Sequence, residues 1–149
     1  MASNLGNVTT KLVPRARGTV AWITISRANK LNSLNTHLLT RLPPALDAVQ
    51  HEHKDLLGIV LTGDGNKAFV GGADLLEMGG MKTAHEASQF ITRVHQVCQS
   101  IRTCSVPVIA RLNGYTLGAG LEIAASCDLR VASRNAVFGM PEVNYLTPG

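Results

Sequence analysis

Two carboxylates in this sequence lie in contexts suited to proton transfer. Glu122 falls in the first turn of a predicted short helix, and Glu142 follows Gly139-Met140-Pro141 on a predicted loop after a strand. Two carboxyl groups at one carbonyl-binding pocket can divide the roles of general acid and general base. Each also suits a simpler role, because an acid at Glu122 complements the helix dipole and Glu142 fits an ordinary exposed loop. The residues alone leave both roles open.

Two glycine-bearing turns can supply backbone donors beside these acids. The first is KAFVGGADLLEM, residues 67–78, with a helix predicted to open at Ala73; the second is NGYTLGAGLEIAASCDL, residues 113–129, with a helix starting near Gly118. Amides at a helix start are unpaired and carry partial positive charge. If both turns meet at one pocket, the amides of Ala73 and Ala119 can together bind the negative charge that develops on a carbonyl oxygen.

The glycines of these turns also suit two less specific roles. They can serve tight turns and close packing alone. A dinucleotide-binding turn at Gly118-Ala119-Gly120 is disfavoured because it lacks a third glycine, and Ile123 occupies that position.

Apolar periodicity and turn residues predict alternating strands and helices. The predicted strands are 8–13, 18–25, 56–63, 107–113, 128–133 and 136–139, and the predicted helices are 36–50, 88–103 and 118–126. Pro43 and Pro44 should break the first helix near Leu42, because proline removes an amide donor and clashes with the previous turn. Ser33 and Asn35 are candidate caps for that helix. The alternation favours an α/β architecture with a parallel sheet and crossover connections.

The composition is that of a globular protein. The 149 residues carry a net charge of +4 and are 45% hydrophobic and 4% aromatic, which excludes disordered, collagen-like and coiled-coil chains. One domain over residues 1–149 is expected, and no apolar run approaches the roughly 20 residues of a membrane span. Basic residues dominate the segment before Asp47, but they are dispersed among few aromatics, so nucleic-acid binding is disfavoured.

Cysteine and histidine placement gives no sign of a metal site. Cys98, Cys104 and Cys127 fit neither a disulfide framework nor a zinc site, which favours an intracellular, reducing compartment. The sequence does not distinguish cytoplasm, mitochondrion and peroxisome. His51 and His53, two positions apart on a polar helix end, point in different directions and are expected to be solvated.

Several segments, together and in this order, resemble the crotonase or enoyl-CoA hydratase superfamily. RANKLNSL (27–34) is similar to that family's first coenzyme A contact, KAFVGGADLLEM to its first oxyanion-hole motif and NGYTLGAGLEIAASCDLRVAS to its second. FGMPEV (138–143) is similar to the segment that carries its second catalytic glutamate. The resemblance implies an α/β spiral of strand-strand-helix units. The spiral would be truncated at its C-terminus, because family members continue for roughly another hundred residues.

The resemblance also implies an activity and a set of site residues. Ala73 and Ala119 would bind the thioester oxygen through their amides, Glu122 would help to activate a water, and Glu142 would protonate the α carbon of a 2-enoyl-CoA. Coenzyme A would enter only as part of the substrate, with no metal or redox cofactor. The implied coenzyme A contacts are Arg27, Asn29, Lys30, Leu31, Gly72, Asp74, Leu75, Leu76 and Gly118.

Two departures from the family pattern bear on these assignments. Ala119 replaces a frequent glycine, which matters only if its backbone needs a positive φ angle. Leu76 replaces a frequent lysine that assists coenzyme A binding, a role for which Arg27 and Lys30 are candidates.

Two other functions are retained as alternatives to hydration or its reverse. One is an isomerase of the same superfamily, and the other is a catalytically silent, truncated chain that binds full-length relatives. Complete family members form trimers, often paired into hexamers, through contacts in the part that this sequence lacks.

Overall fold

An antiparallel hairpin opens the fold. In the computed structural model, which describes residues 5–144, β1 (Asn7–Arg15) pairs along its length with β2 (Gly18–Ser26). Alternate residues of β2 are fully buried, including Ala21, Ile23 and Ile25, because one face of the strand packs on the core. The predicted hairpin is confirmed.

A larger sheet continues from β2 in parallel. Its further strands are β3 (Leu56–Gly63), β5 (Val108–Leu112) and β7 (Leu129–Ala132), in the order β1-β2-β3-β5-β7. Every pairing after the hairpin is parallel, as the continuous apolar runs predict.

A second sheet contains only short strands. It comprises β4 (Ala68–Val70), β6 (Tyr115–Leu117) and β8 (Val137–Gly139), in the order β4-β6-β8, and both pairings are parallel. β4 and β6 were not predicted, because three residues inside a glycine-bearing turn are too few to show alternation. Successive strands enter the larger and then the smaller sheet, so the strand-strand-helix units implied by the resemblance are present.

Within residues 5–144, four helices pack around these sheets. They are α1 (Thr36–Glu52), α2 (Leu75–Gly80), α3 (Ala84–Arg102) and α4 (Ala119–Ser126). Two 3-10 helices, Ala28–Lys30 and Pro141–Asn144, follow β2 and β8. The α1 cap is Asn35, whose side chain accepts a hydrogen bond from the Leu38 amide at 2.9 Å. The helix predicted to open at Ala73 begins at Leu75, because Asp74 is its cap.

α1 is one continuous helix, so the predicted break near Leu42 is wrong. Pro43 and Pro44 lie inside it, on the half-buried and exposed side of the helix. The opposite face buries five apolar side chains: Leu38, Leu39, Leu42, Leu46 and Val49. A proline in a helix interior costs about 3 kcal/mol. Burial of a leucine contributes about 1.5–3 kcal/mol, so this packing holds the helix together across the two missing amide donors.

The last strands of the chain are more exposed than the first. Every residue of β7 is exposed, and large apolar side chains nearby are also exposed. These are Leu129 (58%), Val131 (61%), Val137 (47%), Phe138 (49%) and Val143 (65%). Within residues 5–144, no helix has the length and hydropathy needed to cross a bilayer.

Candidate active site

The smaller sheet brings three predicted site residues to one edge. Its strands are parallel, so their carboxyl ends meet at the same edge. Ala73 follows β4, Ala119 follows β6, and Glu142 follows β8, each within three residues of its strand's end. Because β6 is the middle strand, the Ala119 turn lies between the other two segments.

A parallel bridge to Leu34 positions the first turn. The Leu34 amide donates to Gly72 O at 2.8 Å, and the Asp74 amide donates to Leu34 O at 2.7 Å. Gly72 has a φ of +109°, a conformation that favours glycine. The Ala73 amide between these two bonds has no acceptor within residues 5–144, so it is available to a ligand.

The second turn has the same kind of unpaired amide. Gly118 has a φ of +50° and donates its amide to Gly139 O at 2.9 Å, which ties the turn to β8. Ala119 begins α4, and its amide also lacks an acceptor in the described part of the chain, as expected at a helix start. Ala119 is not among the residues with positive φ. The positive φ is at Gly118 instead, which explains why alanine is tolerated at position 119.

Glu142 packs directly against the second turn. A Cβ atom added to Gly118 would overlap Glu142 Oε1, so glycine is what allows the carboxylate to approach this closely. Glu142 Oε2 is buried and has no hydrogen-bond partner among residues 5–144. A buried carboxylate oxygen without a donor is costly, and such atoms are rare in native structures.

Glu122 is placed differently from Glu142. Its amide donates to Gly118 O at 3.1 Å, so its backbone belongs to the same turn. Its side chain is exposed and makes no hydrogen bond within the described residues. Burial raises the pKa of the Cys98 thiol on α3, and the Glu122 charge adds to that rise. The structure therefore attaches both glutamates to the Gly118 turn but buries only an oxygen of Glu142.

A small cleft lies beside the predicted coenzyme A segment. Asn29 and Lys30 are exposed in the 3-10 helix after β2, and Leu31 is 39% exposed with a φ of 52°. Leu31 lines the cleft of about 200 Å³ together with Lys67, which precedes β4. Sequence reasoning did not assign Lys67, although it is the first residue of the KAFVGG motif.

Arg27 and Asp74 form a buried ion pair. Arg27 Nη1 lies 2.6 Å from Asp74 Oδ2, and each residue is 8% exposed. Burial opposes ionisation of Asp74, but bonds from Arg27 and from the Glu77 and Leu76 amides outweigh it and hold the pKa of the carboxyl below its usual value. These two side chains are directed at each other, and their assignment as coenzyme A contacts stays a prediction.

Part of α2 lines a second cleft. Leu75 and Leu76 are 74% and 77% exposed on α2. Leu76 lines an opening of about 410 Å³ that reaches Thr36 on α1 and Phe90 on α3. Glu77 anchors α2 there, because its carboxylate accepts hydrogen bonds from the amide and hydroxyl of Thr36.

The cysteines are free thiols of low acidity. Burial raises the pKa of Cys127 to about 12 and that of Cys104 to about 11. Cys127 is 5% exposed and serves as a small buried hydrophobic residue. Among residues 5–144, no group of three His, Cys, Asp or Glu side chains is arranged to hold a metal ion.

Comparison with known proteins establishes the family. A family model described as enoyl-CoA hydratase/isomerase matches residues 15–148. The chain belongs to this family. It is 43% identical over 133 residues to the short-chain-enoyl-CoA hydratase of Clostridium acetobutylicum, covering 89% of this chain and 50% of that protein. It is 40% identical over 131 residues to the crotonyl-CoA hydratase of Syntrophomonas wolfei, covering 87% of this chain and 50% of that protein.

Solved structures from the enoyl-CoA hydratase/isomerase family share the fold. The crystal structure of an enoyl-CoA hydratase from Bacillus anthracis superimposes with a TM-score of 0.85 at 31% identity. It covers 95% of this chain and 53% of the other. The crotonase-like α/β fold implied by the sequence is thus confirmed, and the chain spans about half the length of the relatives it matches.

Proposed function

We propose that this chain carries the thioester-binding and proton-transfer site of an enoyl-CoA hydratase. The proposal rests on one observation: two unpaired amides, those of Ala73 and Ala119, converge at one sheet edge with the carboxylate of Glu142, one oxygen of which is buried. Amides in this arrangement suit a carbonyl oxygen that gains negative charge, and a carboxyl group beside them suits proton transfer to carbon. The names of the similar hydratases support the same reaction.

In the proposed reaction, water adds across the double bond of a 2-enoyl-CoA. The hydroxyl group forms a bond to the β carbon while a water proton passes to Glu122, and the π electrons move towards the thioester oxygen. The Ala73 and Ala119 amides stabilise the charge on that oxygen. Glu142 then delivers a proton to the α carbon, and both carboxyl groups exchange protons with solvent. The reverse sequence is dehydration.

The coenzyme A moiety is proposed to bind near the 3-10 helix Ala28–Lys30. Lys30 is an exposed cation at the end of this helix, and the exposed Lys67 lines the neighbouring cleft together with Leu31, which offers an apolar surface. Cations attract the phosphates of coenzyme A, and an apolar surface suits its adenine. Coenzyme A serves as part of the substrate, and the proposed chemistry draws on the chain's own amides and carboxylates.

The test is hydration of a 2-enoyl-CoA by the purified chain, measured as loss of the conjugated thioester absorbance. Glu142→Gln is expected to lower turnover by about 10²- to 10⁴-fold, the usual contribution of a general acid or base. Glu52→Gln is the matched control, because Glu52 is an exposed carboxylate at the end of α1. No turnover from a folded sample would contradict the proposal and favour the catalytically silent chain.

An isomerase is the second candidate, and the unequal burial of the two glutamates favours it. Moving a double bond along the acyl chain needs one group that takes a proton from one carbon and returns it to another. Of the two glutamates, Glu142 has a buried carboxylate oxygen, whereas the Glu122 side chain is exposed. Glu122→Gln separates the candidates. If Glu122→Gln loses hydration turnover, hydration is supported. If Glu122→Gln still moves the double bond and Glu142→Gln does not, isomerisation is supported.

Family-like trimers or hexamers and a reducing compartment are further proposals. The exposed apolar side chains of β7 and β8 support burial against additional protein. Three free thiols support a reducing environment.

A further inference from the structure

The orientation of the Ala73 amide is fixed by the peptide group that contains it. That group joins Gly72 C=O to Ala73 N–H, and the two point in opposite directions across a planar trans peptide. Because Gly72 O accepts the Leu34 amide at 2.8 Å, the Ala73 N–H must point away from the Leu34 segment. The direction of this donor therefore depends on how firmly Gly72–Asp74 is held against Leu34.

Arg27 connects the two segments that meet at this bridge. Its Nη1 atom donates to Asp74 Oδ2 at 2.6 Å, immediately after Ala73. The same atom donates to Ser33 O and Ser33 Oγ, both at 3.2 Å, immediately before Leu34. One guanidinium thus ties the residue beside Ala73 to the residue beside Leu34.

Asp74 is also fixed on its other side. Its Oδ1 atom accepts the Leu76 amide at 2.9 Å and the Glu77 amide at 3.2 Å, which caps α2. A neutral asparagine could supply the same cap. The additional feature of the aspartate is its buried charge, and removing two charges from water offsets much of the stability that the ion pair provides.

We propose that the Arg27–Asp74 ion pair is a positioning device that aims the Ala73 amide at the thioester oxygen. Neither side chain touches the reacting atoms; both act through the Leu34–Ala73 bridge. This inference rests on the proposed function, because it requires that a thioester oxygen bind at the Ala73 amide. It gives the two residues a role different from direct contact with coenzyme A.

The test uses a coloured substrate analogue, the coenzyme A thioester of a para-dialkylaminocinnamic acid. Its absorbance moves to longer wavelength when hydrogen bonds polarise the thioester carbonyl, so the shift at saturation reports the strength of the oxyanion hole. Asp74→Asn keeps the cap and the side-chain shape but removes the charge. We expect the shift to fall by at least about half in this variant, because preorganised donors account for most of such polarisation.

Two further variants make the result specific. Arg27→Lys keeps the charge but cannot contact Asp74 and Ser33 with a planar group, so an intermediate shift is expected. Thr83→Ala removes the α3 cap, which destabilises the chain away from this bridge, and should leave the shift unchanged. A melting curve for each variant identifies the temperature range in which all are folded.

The outcomes separate the two proposals. No shift with the unsubstituted chain would overturn the proposed function, and this inference with it. If the absorbance shift in Asp74→Asn and in Arg27→Lys equals that in the unsubstituted chain, only the positioning role would be overturned. Failure of both variants to fold would show that the pair serves stability, which would also overturn that role.

Discussion

At the scale of single residues, the approach of Glu142 to the second turn depends on the missing side chain of Gly118. Sequence reasoning named both residues, but they lie in different strand-strand-helix units and no local pattern shows their contact. The burial of Glu142 against this turn distinguishes it from an ordinary loop carboxylate.

Gly118→Ala is predicted to destabilise the chain and abolish turnover. The φ of +50° is strained for alanine by about 1–3 kcal/mol, and the new Cβ would displace the Glu142 carboxylate. Thermal unfolding and enoyl-CoA hydration provide the two measurements. Gly79→Ala is the matched control, because Gly79 lies in α2 with open space around it and should be neutral or slightly stabilising. If the two variants have the same unfolding temperature and the same turnover, the assigned role of Gly118 is contradicted.

Asp74 makes the stability of the chain dependent on acid pH. Its folded-state pKa lies below the ordinary value of 3.8, so the unfolded chain takes up the proton first. The stabilisation is fully present above the unfolded pKa and is lost as pH falls through the lower folded pKa.

Urea unfolding between about pH 5 and pH 2 should therefore show a smaller acid-dependent loss in Asp74→Asn than in the unsubstituted chain. At pH 7 the same variant should be less stable by about 3 kcal/mol, because Arg27 loses its buried partner. Glu86→Gln is the comparison: the Lys82 and Thr83 amides lower the Glu86 pKa too, but solvent screens that exposed group. Parallel pH profiles for all three proteins would refute this prediction.

At the scale of secondary-structure elements, α1 shows that tertiary packing can override a strong local signal. Its buried face is continuous across Pro43 and Pro44, so the helix persists without two of its amide donors. The helix is thus less stable locally than its length suggests.

Pro44→Ala is predicted to raise the unfolding temperature. The substitution restores an amide donor for Thr40 O on the exposed side of α1, where no new packing is required. The expected gain is about 1–3 kcal/mol, or roughly 2–4 °C for each kcal/mol in a chain of this size. Calorimetry measures it, with Ala48→Gly as the opposite change on the same helix. A lower melting temperature for Pro44→Ala would contradict the prediction and show that Pro44 stabilises the folded chain.

The elements differ in how far the sequence determines them. The hairpin, β3, β5 and α3 follow from alternation, continuous apolar runs and helical periodicity, which are local properties. β4 is defined by its pairing with β6, and β6 by its pairing with β4 and β8, so no local pattern could predict them. The Arg27–Asp74 pair joins positions 47 apart, and neither residue signals the other. The two amides and the two glutamates were candidates from the turns themselves, and the coenzyme A contacts came from the family resemblance. The spatial arrangement of all these residues required the structure.

At the scale of the whole molecule, apolar side chains remain at the last strands. Val131 and Leu129 on β7 are exposed at the edge of the larger sheet, and Val137 and Phe138 on β8 are exposed at the edge of the smaller sheet. Unpaired edges with such side chains promote association with other protein.

The isolated chain is therefore predicted to self-associate with increasing concentration, and Val131→Lys should reduce this association. A charge on an exposed edge strand opposes edge-to-edge pairing without removing a core contact. Sedimentation velocity over a concentration series measures the self-association. Lys11→Val on β1, the opposite edge strand, tests whether an apolar side chain on any edge strand is sufficient to increase it. If the chain is a monomer at every concentration, the exposed side chains of β7 and β8 do not mediate self-association of the isolated chain.

The order β4-β6-β8 has a consequence for how new reactions can arise on this scaffold. Each strand contributes one part of the site: a donor after the first, a donor after the second and an acid after the third. In the proposed reaction, polarisation of the thioester and delivery of the proton to the α carbon are thus encoded in separate stretches of the gene. A change confined to the turn after β8 can replace the Glu142 acid while the two carbonyl-binding turns, and Glu122 with the second of them, stay intact.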